Sequence, residues 1–283
     1  MSFRALLGPV AFLCLASSPP VAGAQEASSS ESPPKVLQIF VESVKPGQSA
    51  AHEKIETGWP QAFRKAKWPT HYLAVTSMSG PGEAWYMTGH ASYAAMEADN
   101  RNVEKTPALS KELERLSAVD GELLSGTRGI LATYRPDLSY RPDISLARMR
   151  YYALTIITLK PGYDSAFAEV RKVVNAGHDK ANMDEHWTMY QVTSGMAGSA
   201  YLLLIPMKSL QEADVAQESH GKPYQDALGQ AGRQQLRDFA RDAMATSETK
   251  LFAFSPKMSY PSDEWVASDP QYWAPKTVSA AKP

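Results

Sequence analysis

The sequence predicts an α+β protein built from two ferredoxin-like β-α-β-β-α-β repeats packed sheet to sheet, preceded by an export signal. Three observations carry that reading. Short matches recur in one order at a nearly constant separation. Within each copy, runs of alternating apolar and polar residues flank runs with apolar residues every three to four positions. The first 24 residues have the pattern of a cleavable leader.

In the leader, Arg4 is the only charge before Glu26, and Ala5 to Ser17 form an apolar stretch. Pro19 and Pro20 end it, and Ala22-Gly23-Ala24 supplies a small-x-small cleavage site. The apolar stretch is shorter than the roughly 20 residues a spanning helix needs, so no membrane span is expected after cleavage. The expected location is periplasmic or secreted. Residues 25–35, rich in Ser, Glu and Pro, read as a flexible spacer.

The repeat follows. Lys45-Pro46-Gly47 recurs as Lys160-Pro161-Gly162, 115 positions on. Each glycine is followed 24 positions later by a histidine, His71 and His186. Val75-Thr76-Ser77 matches Val192-Thr193-Ser194, and Glu97-Ala98-Asp99 matches Glu212-Ala213-Asp214. Tyr134-Arg135-Pro136 through Tyr140 matches Phe254-Ser255-Pro256 through Tyr260, at a separation of 120. Any one match is weak, but their order over more than 100 residues makes chance an inadequate explanation.

The first copy spans 36–135. It opens with a strand over Val36–Val44, where Leu37, Ile39 and Val41 alternate with Gln38, Phe40 and Glu42. Lys45-Pro46-Gly47 turns the chain. A helix is expected over Ser49–Ala66, with Ala51, Ile55, Trp59 and Phe63 on one face and a kink or break at Pro60. Thr70–Ser79 and Glu83–His90 read as a hairpin around Gly80-Pro81-Gly82. A short helical stretch near Ser92 and a longer helix from Pro107, with Leu109, Leu113, Leu116 and Val119 inward, precede a closing strand at Thr127–Tyr134.

Residues 136–150 form the linker. The second copy, 151–260, repeats the order with a strand at Tyr151–Leu159 and a helix at Asp164–Asn182. A hairpin at His186–Ser194 and Ala200–Ile205, helical stretches near Ser209–Gln217 and Tyr224–Ala245, and a strand at Lys250–Phe254 complete it. Residues 261–283 form a tail in which Trp265, Tyr272 and Trp273 are able to dock on the body.

Composition bounds the function. The 283 residues carry 29 basic and 30 acidic side chains, a formal charge of -1, so no broad basic field serves nucleic acid. The one cysteine, Cys14, lies in the leader, which removes disulfides, thiol catalysis and thiolate metal ligation from the mature chain. No GxSxG elbow, phosphate loop, CxxCH or zinc-type histidine spacing occurs, so no metal site is expected.

A single β-α-β-β-α-β unit covers one sheet face with its helices and leaves the other face to be covered. In pattern, two such units in one chain resemble the dimeric α+β barrel group over most of residues 36–260. The resemblance implies a fold shared by heme-binding and heme-degrading proteins, cofactor-free monooxygenases and small-molecule isomerases, and does not choose among them.

Strand alternation places Leu37, Ile39 and Val41 against the helix layer, and Gln38, Phe40 and Glu42 in the space between the sheets. His71, Leu73 and Val75 share a face, as do Tyr86 and His90, and His186 and Tyr190. If register brings them together, Glu42, His71, Tyr86, His90, His186 and Tyr190 form a polar cluster in an aromatic-lined cleft that binds a small, partly apolar molecule. A second hypothesis is a cofactor-free monooxygenase or isomerase, with His71 or His90 as proton shuttle and Glu42 and Tyr86 orienting the substrate. A third is a protein-interaction or scaffold role. No cofactor is expected, and non-covalent heme held by an axial histidine stays open. Further assembly of chains is left open.

Overall fold

A computed structural model of the chain describes residues 32–219 and 221–274. The leader, most of the spacer and the last nine residues lie outside the described residues, and with them the proposed cleavage site.

In each half an alternating apolar strand leads into a Lys-Pro-Gly turn, and the strands then follow in the same order. The first half runs β1 (Val36–Val44), α1 (Ser49–Glu56), α2 (Gly58–Ala66), β2 (Tyr72–Ser77), β3 (Glu83–His90), α3 (Tyr93–Glu104), α4 (Pro107–Asp120) and β4 (Leu124–Tyr134). The second runs β5 (Tyr151–Leu159), α5 (Asp164–Ala181), β6 (Thr188–Ser194), β7 (Ser199–Met207), α6 (Gln211–Ser219), α7 (Lys222–Asp242) and β8 (Met244–Phe254). Two short helices, α8 (Asp263–Ser268) and α9 (Pro270–Trp273), follow. Among the described residues, no helix is long and apolar enough to cross a membrane.

The eight strands close into one antiparallel barrel, β4-β1-β3-β2-β8-β5-β7-β6 and back to β4. The halves therefore share the strand order fourth-first-third-second and join at their edges, which leaves neither sheet with an open edge. Both seams are short: Val75–Ser77 pairs with Phe252–Phe254, and Leu131–Tyr134 pairs with Tyr190–Ser194. Within a half the ladders are longer, with Val36–Ser43 against Glu83–His90 and Tyr151–Leu159 against Ser199–Met207. Ser259 strengthens one seam, its Oγ accepting from Ala74 N at 2.9 Å. At the other, Gly195 sits at φ +91, and a Cβ there would lie 2.0 Å from Gly129 O, so only glycine fits.

The barrel interior holds the main core. Leu37, Ile39 and Val41 point into it, joined by Leu73, Val75, Trp85, Leu154 and Phe252. This reverses the faces assigned to β1 above: Gln38, Phe40 and Glu42 lie on the outer, helix-covered face. The reason is physical. The inward face of the barrel is lined largely by hydrocarbon, beside the buried Lys250–Glu83 ion pair, so the more apolar set of β1 goes inside.

The single helix expected over 49–66 is two. α1 ends at Glu56, and Pro60 occupies the first turn of α2, where its missing N–H costs nothing. Gly58 allows the junction to touch α4, since a Cβ there would meet Leu116 Cδ2 at 2.5 Å. The inward side chains of α1 are His52 and Glu56 rather than the apolar Ala51 and Ile55. In α4 the buried set is Leu109, Leu116 and Asp120, with Val119 exposed. α7 ends at Asp242 and is broken at Gly229 (φ 67), and Met244 already belongs to β8. The tail docks: Trp273 is buried, its Nε1 donating to Ala147 O at 2.6 Å, and Tyr272 Oη donates to Phe254 O at 2.8 Å.

Candidate functional site

Two cavities divide the sequence-derived candidates between them. The larger, about 820 Å³, opens at the end of the barrel where β1, β2, β5 and β6 begin. His71, His90 and Tyr190 line it, with Leu37, Leu73 and Tyr152 as apolar wall. The His71 ring packs on Tyr260, centroids 4.6 Å apart. His90 Nε2 lies 3.1 Å from Gln38 Oε1, and burial lowers the His90 pKa, opposed by the charge of Asp99. Tyr190 Oη donates to Pro34 O at 3.2 Å.

The second cavity, about 610 Å³, lies between the outer face of β1–β3 and helices α2 and α3. Glu42 and Tyr86 line it, walled by Trp59, Phe63, Trp68 and Tyr72. Phe40 and Tyr86 face each other across β1 and β3, which places both on the helix side. Thr70, Tyr72 and Asp99 border both cavities. Asp99 fixes this partition by accepting from Trp68 Nε1 at 3.1 Å and Thr70 Oγ1 at 2.6 Å. His186 lines neither cavity: its Nδ1 is 2.7 Å from Arg141 O and its Nε2 3.4 Å from Asp184, beside a turn. The six candidates therefore do not form one cluster.

At the floor of the helix–sheet cavity the chain gathers groups that the sequence reading did not join. His52 and Glu56, one turn apart on α1, face Glu42 from β1 and Asp120 from the end of α4. All four are buried, and one potential ligand atom from each lies within 4.8 Å of the others. His52 Nε2 is 2.8 Å from Glu42 Oε2, a hydrogen bond, and 3.7 Å from Asp120 Oδ1, beyond hydrogen-bond range.

Burial raises the Glu56 pKa to about 8, helped by the charges of Glu42 and Asp120. Burial and the Glu42 charge raise Asp120 to about 6, against the pull of His52. Tyr72 and Tyr86 are pushed well above the usual phenol range by burial and by Glu56. The nearby Tyr86 hydroxyl and Trp59 indole pull the Glu56 pKa down, although neither closes a hydrogen bond of ordinary geometry and Glu56 Oε1 has no donor. Asp120 Oδ1, Trp59 Nε1, Tyr72 Oη and Tyr86 Oη are likewise sealed from solvent without a hydrogen-bond partner. Buried polar groups are nearly always satisfied, and five atoms without a hydrogen-bond partner gather along and beneath this cavity.

The signal for this set was present as His52-x-x-x-Glu56, an i,i+4 pair on one helix face. It was hidden by the apolar series Ala51, Ile55, Trp59 and Phe63, which suggested the wrong inward face. For a heme, the axial candidates that line a cavity are His71 and His90, and Gln38 engages His90 Nε2.

No protein-family model matches the chain, and no curated protein matches it in sequence. Solved structures do. A candidate monooxygenase from Fusobacterium nucleatum subsp. nucleatum ATCC 25586 is 14% identical with a TM-score of 0.52, over 78% of this chain and 93% of that one. An anthrone oxidase-like protein is 13% identical with a TM-score of 0.52, over 80% and 93%. A candidate monooxygenase from Lactobacillus acidophilus NCFM is 5% identical with a TM-score of 0.50, over 77% and 93%. At such identities the likeness is one of fold: the chain has the dimeric α+β barrel architecture, with both halves in one polypeptide.

Proposed function

We propose that the chain is an oxygenase of the α+β barrel monooxygenase type that binds a small, planar, largely apolar molecule in the helix–sheet cavity of its first half. The observation that carries this reading is the cavity itself: indole and phenol walls from Trp59, Trp68, Tyr72 and Tyr86 over a floor containing Glu42 and Glu56. Small-molecule sites have this composition, apolar walls with a few placed polar groups. The candidate monooxygenases and the anthrone oxidase-like protein that share the fold support the reaction class. A ring methylene set across the ring from a carbonyl suits it. Its conversion to a second carbonyl by O₂ releases one water and balances without an external reductant. Tyr72 Oη, buried on the cavity wall without a hydrogen-bond partner, supplies a donor for a ring oxygen.

The test is titration of the purified chain with anthrone, read by tryptophan fluorescence, together with O₂ uptake. Saturable binding, weakened at least about tenfold in Trp59→Ala by loss of aromatic contact, supports the proposal. Unchanged affinity in Trp59→Ala contradicts it.

A second reading places the ligand between the sheets at the barrel mouth. It is favoured by the larger cavity there, lined from both halves by Leu73 and Met87 and by Tyr152 and Tyr190. Filling that mouth with Met87→Trp would then abolish binding, whereas the first reading expects no effect. The common order of the two halves supports their origin as tandem copies. Export with cleavage after Ala24 rests on the leader pattern, and the N-terminal mass of the exported protein tests it.

A further inference from the structure

We infer that Glu42, His52, Glu56 and Asp120 bind one divalent first-row transition-metal ion at the floor of the helix–sheet cavity. The inference concerns the cavity assigned above but rests on these four side chains alone, and it holds whether or not an organic molecule occupies the space beside them.

The geometry is that of a ligand shell. With metal–ligand bonds of about 2.1 Å, neighbouring ligands lie about 3.0 to 3.4 Å apart and opposed ligands about 4.2 Å apart. The observed separations of 2.8 Å and 3.7 Å from His52 Nε2, inside a set spanning at most 4.8 Å, enclose that range. The ligands come from a strand, two turns of one helix and the end of another, so the fold holds them without help from a loop. One imidazole and three carboxylates suit Mn²⁺, Fe²⁺ or Zn²⁺ rather than a soft ion.

The hydrogen-bond inventory within and beside the cluster points the same way. Glu56 and Asp120 are each 2% exposed, and Glu56 Oε1 and Asp120 Oδ1 have no donor. Tyr86 Oη, sealed and unpartnered beside Glu56, is placed to support a ligating carboxylate from behind. Three carboxylates crowded around one imidazole in a buried space repel one another when ionised, and a divalent cation removes that repulsion.

The fold itself does not require the set. Counting 115 positions on, Ile157, Phe167 and Arg171 stand where Glu42, His52 and Glu56 do. The end of α7 packs Phe239 against Phe167, where α4 ends in Asp120. The first half thus carries three carboxylates and an imidazole at a place where the same architecture sets Ile157, Phe167 and Phe239 beside a single arginine.

The experiment uses the mature chain, stripped with a chelator and titrated with MnCl₂ and ZnCl₂ by calorimetry, with Mn²⁺ also followed by electron paramagnetic resonance. One ion per chain at micromolar affinity or tighter is expected. Glu56→Gln, neutral and nearly isosteric, should keep the fold, as judged by circular dichroism, and weaken binding at least 30-fold; His52→Gln should do the same. Phe63→Ala, on the aromatic wall against Tyr72 and Tyr260, should leave metal binding intact while weakening ring binding, so the metal site and the oxygenase reading fail separately. Absence of saturable binding to the folded chain, or equal affinity in Glu56→Gln and His52→Gln, would overturn the inference.

Discussion

The two helix layers make the sharpest contrast in the molecule. Both halves lay helices on a four-stranded sheet with one strand order. In the second half the space beneath the helices is filled: Phe167 meets Tyr201 at 4.7 Å and stacks on Phe239 at 5.8 Å, with Ile157 and Met189 around them. In the first half the strand partner of Glu42 is Ala84, whereas the partner of Ile157 is Tyr201. A small side chain there, with His52 and Asp120 above, leaves room for a cavity and a polar floor. The barrel interior is common property, packed mainly with apolar side chains from both halves. Each helix layer faces only its own half, so one half is free to give up packing for a site while the other holds the fold.

The largest expected effect lies in the filled layer. Phe167→Ala should cost about 3 to 5 kcal/mol of unfolding free energy, measured by urea denaturation, because it opens a void in a packed cluster. A loss under 1 kcal/mol would show that the two layers differ less than their side chains suggest.

A smaller effect of opposite sign is expected from carrying the second pattern into the first layer. The triple variant Glu42→Ile/His52→Phe/Asp120→Ala replaces a buried charged set by hydrocarbon. Such replacements are often neutral or stabilising by about 1 to 4 kcal/mol, so the metal-free triple variant should be at least as stable as the parent. A fall of more than 2 kcal/mol would mean that these groups serve the fold.

The smallest effect is at the barrel mouth. Burial lowers the His90 pKa in the folded chain, so on acidification the unfolded chain takes up the proton first. Its contribution to stability should be present above about pH 6.5 and be lost as pH falls below it, towards the lower folded value. His90→Gln keeps a polar group near Gln38 and cannot titrate. Its stability relative to the parent should rise as pH drops from 7 to 5, read from thermal melts across that range. A constant difference would contradict the assignment.

How much of this was legible depended on what a pattern can encode. The strands β1, β3 and β5 emerge with their bounds because alternation marks them from end to end. The first portions of β4 and β8 are exposed and polar, held by their ladders to β1 and β5, so alternation could not report them. The face of β1 was misassigned because Phe40 made both faces look apolar, and only closure of the barrel decides which set goes inside. Glu42 and Tyr86 were singled out as polar groups on inward faces and do line a cavity, although on the helix side. His52, Glu56 and Asp120 were missed because their conjunction spans a strand, a helix and a second helix some 70 residues later, a proximity no local spacing encodes.

The central claim is that the helix–sheet space of the first half is the working site. Its most direct test is anthrone binding to the triple variant Glu42→Ile/His52→Phe/Asp120→Ala beside the parent, by fluorescence titration at matched fold content. The account expects the parent to bind and the folded variant to lose at least about tenfold in affinity, since Ile and Phe fill the floor as they do in the second half. Equal affinity in the two proteins would contradict it and move the site to the barrel mouth.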